Sequence, residues 1–291
     1  MPLMPLMPLM LPGYSTNSIG DIPPLDAVPQ LADLGYRSLA ITPDHGLLDP
    51  FAPGLAADID RWRAILDRHG MARVIETGAR HLLDRKRKHE PTLVSPDPLA
   101  RKRRVDFLLA AIDIAADIGA ACVSLWSGVG RDAADDETFW NRLTAGLGPV
   151  LERAAERGVM IGFEPEPGMV IDSLARYSAL QERLAWPEWL GLSLDLGHLE
   201  CMGEWPLVSE VRPRVAQLVN VHLDDSLACR HDHLPLGDGD VDFPSLFAML
   251  AAGGYAGGLH LELPRQRHRW LDTARESAVQ LDRLLAPYRS P

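Results

Sequence analysis

The chain has 291 residues, 46% of them hydrophobic, and a formal net charge of −11. That acidity argues against a general electrostatic affinity for nucleic acid, which needs a basic footprint, and leaves only local basic patches open. Three cysteines (Cys122, Cys201 and Cys229) form an odd count at no framework spacing, which favours a reducing, cytoplasmic compartment over a disulfide scaffold.

The first segment, "MPLMPLMPLMLPG", is apolar but has no basic n-region, and its proline at every third position prevents the helical core of an export signal. The spacing favours a polyproline-type arm. Residues 1–12 are therefore read as a flexible extension, from an upstream start codon with Met10 as the functional start, over the alternative of a partner-binding arm, ahead of one domain over 13–287. No other segment approaches the length of a membrane span.

From there one pattern repeats: a short apolar or β-branched run, a polar turn, then an amphipathic stretch of helical length. The expected strands are "PGYSTNSI", "RSLAIT", "ARVIET", "ACVSLW", "VMIGFE", "LGLSLD", "AQLVNVHL" and "GGLHLEL". Between them lie "LAADIDRWRAILDRHG", "PLARKRRVDFLLAAIDIAADIG" and "FWNRLTAGLGPVLERAAERG". In the second of these, Leu108, Ile112, Ala115 and Ile118 share one helical face. Gly70, Gly119 and Gly158 stand where C-caps are needed. Eight strand–helix units predict a parallel sheet closed into a (β/α)8 TIM barrel, a single α/β domain. The alternative, an open doubly wound sheet, lacks its glycine fingerprint in the first turn, "STNSIGD". The connection from about Gly78 to Pro98 is oversized, and such loops cover or build sites.

Active sites of such barrels lie at the C-terminal strand ends. Strand five ends in Glu164, strand six in Asp195 and then His198, strand seven in His222 and then Asp224, strand eight in Glu262. Three carboxylates and one imidazole on one rim suit a single divalent ion (Mn2+, Mg2+, Co2+ or Zn2+) with positions left for substrate oxygens. Without a cation the three negative charges repel one another.

Five segments, "GFEPEPG", "LSLDLGH", "NVHLDD", "HDHLPLGDGDVDF" and "LHLELPR", resemble the xylose-isomerase-like TIM-barrel superfamily. That superfamily includes sugar-phosphate isomerases and epimerases, inosose dehydratases and type IV apurinic endonucleases. The likeness runs from about residue 10 to 285 and is most specific between 158 and 265. It implies that Glu164, Asp195, His222 and Glu262 bind the metal. It also implies that Glu164 and Glu262 exchange a carbon-bound proton of a hydroxy-ketone through an enediolate held at that metal. Glu166, held by Pro165 and Pro167, is then expected to face substrate or brace an arginine, and His198 to sit beside the substrate oxygens.

His231 occupies the place of an aspartate ligand in the nuclease branch, and with His233 it forms either a second metal site or a lid. Trp126 replaces a strand-four histidine of that branch, so the trinuclear set is incomplete. Trp126 is instead a candidate to stack on a sugar. The basic stretches "GARHLLDRKRKHEPTL" and "ARKRRVD" suit anion capture over the barrel mouth, with Arg80 and His81 as the candidates. Arg265 is a candidate to grip substrate. The expected protein is thus a divalent-metal-dependent isomerase or epimerase of a small sugar, sugar phosphate or related polyol or keto compound. The alternatives are an inosose-type dehydratase, a metal-dependent phosphodiesterase or endonuclease, and a barrel that only binds its ligand. A homodimer or homotetramer is expected from the resemblance alone.

Overall fold

The computed structural model describes residues 10–78 and 80–289. The strands are β1 (Leu11–Ser15), β2 (Ser38–Ile41), β3 (Ala72–Glu76), β4 (Cys122–Leu125), β5 (Met160–Phe163), β6 (Leu190–Asp195), β7 (Leu218–Leu223) and β8 (Gly258–Leu261). Each pairs in parallel with the next, and β1 pairs with β8, so the sheet closes into a barrel. Around it run α1 (Pro24–Asp33), α2 (Leu55–Arg68), α3 (Pro98–Ile118), α4 (Asp136–Arg157), α5 (Leu174–Arg183), α6 (Leu196–Met202), α7 (Leu207–Val211), α8 (Phe243–Ala252) and α9 (Trp270–Leu285). None of the described helices is long and apolar enough to cross a membrane.

Local chemistry marks the helix ends. Asp97, Asp135 and Ser173 accept backbone N–H bonds at the starts of α3, α4 and α5, relieving amides that have no partner inside the helix. Gly119 and Gly158 close α3 and α4 in the left-handed conformation that a side chain resists. Two sequence boundaries shift. The first strand stops at Ser15, because its hydroxyl accepts from the Asn17 amide and turns the chain into a short 3-10 helix. Leu11 and Pro12 pair with Gly258 and Leu259 of β8, so they belong to the barrel and not to the extension. Residues 1–9 of the "MPL" repeat lie outside the described residues.

Period-two alternation divides each strand between two environments. Tyr14, Leu39, Ile41, Ile75, Val123, Phe163, Leu194, Leu223 and Leu261 are buried in the main apolar core that includes the helices. The intervening positions face the barrel axis and are far more polar. The Ser124 and Ser193 hydroxyl oxygens lie 3.0 Å apart from β4 to β6, across the Gly162 position of β5. A bulge where β6 meets β7 makes Leu192 partner Leu218 and Ser193 partner Asn220. The extra residue, Val219, packs with the small apolar group Ala40, Val74 and Cys122. Bulges of this kind re-aim side chains, and here Asn220 and His222 follow it directly.

Candidate active site

Asp195 and His222 are register partners on β6 and β7, so they leave the sheet side by side. Glu164 immediately follows β5 and Glu262 immediately follows β8. One ligand-capable atom from each of the four lies within 4.8 Å of the others. The His222 Nδ1 is 3.0 Å from Glu164 Oε1 and 3.3 Å from Glu262 Oε2. Asn17 donates to Glu262 Oε1, and Ser124 to Glu164 Oε2.

The electrostatics are those of crowded carboxylates in a dry place. Burial pushes the Glu262 pKa up to about 7. Burial, with Glu164, Glu262 and Asp195 nearby, raises Glu166 well above the carboxylate range. Burial also opposes the charge on Asp195, but His198, His233 and His222 overrule it and hold its pKa low. Asp195 Oδ1 accepts from the His198 amide, whereas its buried Oδ2 has no hydrogen-bond partner. A carboxylate with an orphaned oxygen, clustered with two further carboxylates and an imidazole, fits a divalent cation.

The other nitrogen of His222, Nε2, is 2.8 Å from Glu76 Oε1. Glu76 ends β3 and is itself held by hydroxyls of Ser15 at 2.9 Å and Thr42 at 3.0 Å. Sequence reasoning missed Glu76, although asking how each strand ends would have found it at the close of "ARVIET". Carboxylates in this position set the tautomer and orientation of a ligating histidine. Glu76→Gln is therefore expected to weaken divalent-metal affinity roughly 10- to 100-fold with the fold intact. A competitive metal titration beside a circular dichroism melt checks this, and unchanged affinity would remove Glu76 from the site.

Beneath the ring, a polar column crosses the barrel. Ser38 Oγ is 2.8 Å from His260 Nε2, and His260 Nδ1 is 2.8 Å from Asn220 Oδ1. The Asn220 Nδ2 donates to Ser193 at 3.1 Å and lies 2.8 Å from His222 Nε2. His260 fits because β8 begins with glycine: a Cβ on Gly258 would lie 2.3 Å from the ring.

Asp224, wholly buried, is in close contact with His233 Nδ1. It packs beneath α6 at Gly197, where a Cβ would sit 1.7 Å from Asp224 Oδ1. Gly197→Ala is expected to cost about 1–3 kcal/mol or more through overpacking. Because the same turn carries Asp195, metal affinity should fall with it. Thermal melts and metal titration of the variant test both effects.

One cavity of about 180 Å³ collects most of the residues expected from the sequence: Arg80, Trp126, Glu164, Glu166, His198, His222, His231, His233 and Glu262 line it. Buried Asp195 adjoins it as a member of the four-residue cluster. The His198, His231 and His233 nitrogens lie within 4.8 Å of one another. His198 Nδ1 is 3.7 Å from Glu166 and its Nε2 is 3.7 Å from Asp195, and neither nitrogen makes a hydrogen bond among the described residues.

Three of the expected residues have other partners in the structure. His81 is exposed and turns to the Asp84 carbonyl at 3.3 Å, away from the cavity. Arg265 pairs with Asp232 at 3.1 Å and donates to the His231 carbonyl at 2.8 Å, so it braces the loop after β7 instead of reaching the substrate space. Trp126 is only 6% exposed; His89 stacks on its ring and the Arg104 guanidinium lies 4.4 Å from its centroid. Its stacking partners are therefore protein groups. Lys88, His89 and Asn17 line the cavity and were not singled out as site residues from the sequence.

Comparisons agree with this architecture. The putative L-ribulose-5-phosphate 3-epimerase SgbU of Escherichia coli (strain K12) is 26% identical over 196 residues, covering 64% of this chain and 65% of that protein. L-ribulose-5-phosphate 3-epimerase UlaE of Salmonella paratyphi C is 28% identical over 193 residues, covering 65% of this chain and 64% of that protein. The chain thus spans just under two thirds of the length of these curated relatives. Among solved structures, a D-tagatose 3-epimerase-like protein superposes with a TM-score of 0.75 at 17% identity, covering 96% of this chain and 98% of that one. The IOLI protein with a bound zinc atom gives 0.76 at 16% identity, covering 97% and 100%. At these identities the structural likeness speaks to the fold. The profile of the xylose isomerase-like TIM barrel family matches residues 28–284, and with that span matched the chain belongs to this family.

Proposed function

We propose that this protein is a divalent-metal-dependent isomerase or epimerase of a small keto sugar or its phosphate. The observation that carries the reading is the cluster of Glu164, Asp195, His222 and Glu262 at the C-terminal rim of the barrel. The 3-epimerase relatives support the same reaction class. The four residues would hold the ion. When bound, it supplies a Lewis acid that lowers the barrier to removing a proton beside a carbonyl.

The chain's own groups do the rest. Glu164 and Glu262 follow different strands and face each other across His222. One carboxylate takes the carbon-bound proton, and its bonding electrons pass to the adjacent carbonyl oxygen. The other glutamate, as carboxylic acid, returns a proton to carbon. Before an ion binds, burial sets the Glu262 pKa at about 7, and taking up the ion holds it as the carboxylate, the base form, near neutrality. His198, whose pKa burial lowers, is neutral there and offers a hydrogen bond to substrate oxygens. The small cavity and the position of Glu166 on its wall suit a compact polyhydroxylated substrate.

The test is solvent-deuterium incorporation into a panel of ketopentoses and ketohexoses, with and without phosphate, followed by proton NMR. Incorporation next to the carbonyl that stops on chelation is expected; none into any member would overturn the reading. A second reading, metal-dependent phosphoester hydrolysis, draws on the His198–His231–His233 group. Elemental analysis separates the two: about one equivalent of metal per chain fits the isomerase, and two or three of zinc favour the hydrolase.

A further inference from the structure

Resting on that reading, we propose that the substrate carries a phosphate ester at the end remote from its reacting carbons, taken by Arg80, Lys88 and His89 on the β3–α3 connection. The cavity is divided by charge. Glu76, Glu164, Glu166 and Glu262 line it together with Arg80, Lys88 and His89, and the basic three all come from the single stretch between β3 and α3.

Neighbours in the basic stretches are engaged away from the cavity, two of them by carboxylates. Arg87 pairs with Asp84 at 2.9 Å and Lys102 with Asp106 at 2.7 Å. Arg101 donates to the Ser95 and Pro96 carbonyls, and Arg103 to that of Leu83. The cations on the cavity wall differ. Arg80 has Asp44 at 3.9 Å, and Lys88 has no carboxylate within ion-pair distance among the described residues. Behind them Arg104 is wholly buried. It donates to Thr77 O at 3.0 Å, its Nε has no partner, and no carboxylate pairs with it among the described residues. Both groups it touches, Thr77 and the Trp126 ring 4.4 Å away, line the cavity, so this cation stands one side chain behind its wall.

His89 completes the wall. Its backbone is held at φ +66°, a left-handed conformation uncommon for a side-chain-bearing residue, and its N–H donates to the Arg80 carbonyl at 2.7 Å. The ring stacks on Trp126, and its buried Nε2 has no hydrogen-bond partner. Burial, then Lys88, Arg104 and Arg80, push its pKa down to about 3. The imidazole is thus neutral at physiological pH and offers one N–H beside two cations. Three dispersed donors match a dianion with three oxygens better than a planar carboxylate, which a single arginine fork satisfies.

Two measurements on the metal-loaded protein test the proposal. The first compares kcat/KM for a ketopentose and for its 5-phosphate. The wild type is expected to prefer the phosphate by roughly 10²-fold or more, and Arg80→Ala/Lys88→Ala to bring the ratio to within about tenfold of unity. A general structural defect would lower both rates and leave the ratio standing, which would overturn the proposal, as would a wild-type ratio near one. The second is calorimetric binding of ribitol 5-phosphate against ribitol, neither of which has a carbonyl to enolise. Selective binding of the phosphate that the double variant loses supports the anion site even if turnover is absent and the isomerase reading fails. Equal binding overturns the anion site, while deuterium exchange into unphosphorylated ketoses would keep the isomerase reading.

Discussion

Glu262→Gln is expected to lower turnover by at least about 10³-fold, or roughly 4 kcal/mol in the barrier, without unfolding the protein. The substitution preserves shape and keeps one oxygen to accept from Asn17. It removes the negative charge and the ability to carry a proton between pH 5 and 8. Metal content should be measured beside turnover. A variant that keeps its ion and loses exchange places the defect in proton transfer; one that loses the ion places it in binding. Near-normal exchange would sink the role given to Glu262.

Metal removal is the second large effect. Exchange should vanish on chelation and return with a divalent ion. At a thousandfold excess over Kd the ion should add about 4 kcal/mol of stability, raising the melting temperature by roughly 8 °C for a domain of this size. The pH dependence has a definite sign. Burial pushes the His222 pKa down, but Glu164 and Glu76 overrule it and leave it well above the ordinary value. Binding an ion therefore displaces a proton from His222 across the neutral range. Below about pH 7, Glu262 is protonated as well and must give up a second. As pH falls, affinity should weaken about tenfold per unit above pH 7 and approach about a hundredfold per unit below it. A flat profile would show that these groups do not hold the ion.

The barrel was legible because its period is short and its punctuation explicit. Eight apolar runs alternate with helical stretches, and Gly119 and Gly158 stand at helix ends in the backbone conformation expected of them. The rim residues were legible for the same reason: a side chain at a strand's C-terminal end has little choice of direction, so Glu164, Asp195, His222 and Glu262 meet. Loop residues carry no such constraint. His81 and His89 lie in one basic stretch, yet only His89 reaches the cavity. A left-handed backbone and a stacking partner 37 residues away decide that, and neither is written in local pattern. Arg265 illustrates the converse, since Asp232 of another loop claims it first. Glu76 was missed although the strand-end rule applies to it, because β3 brings one carboxylate and no companion motif.

The column of Ser38, His260 and Asn220 has an evolutionary corollary. Removing one member leaves a polar atom of its neighbour unpaired in a dry interior, which is worse than having no polar group there. An apolar set replacing all three together would escape that penalty. Single steps away from the column are therefore each deleterious while the concerted change is not, a case of sign epistasis. A lineage that has acquired it is held there by the order in which mutations arrive.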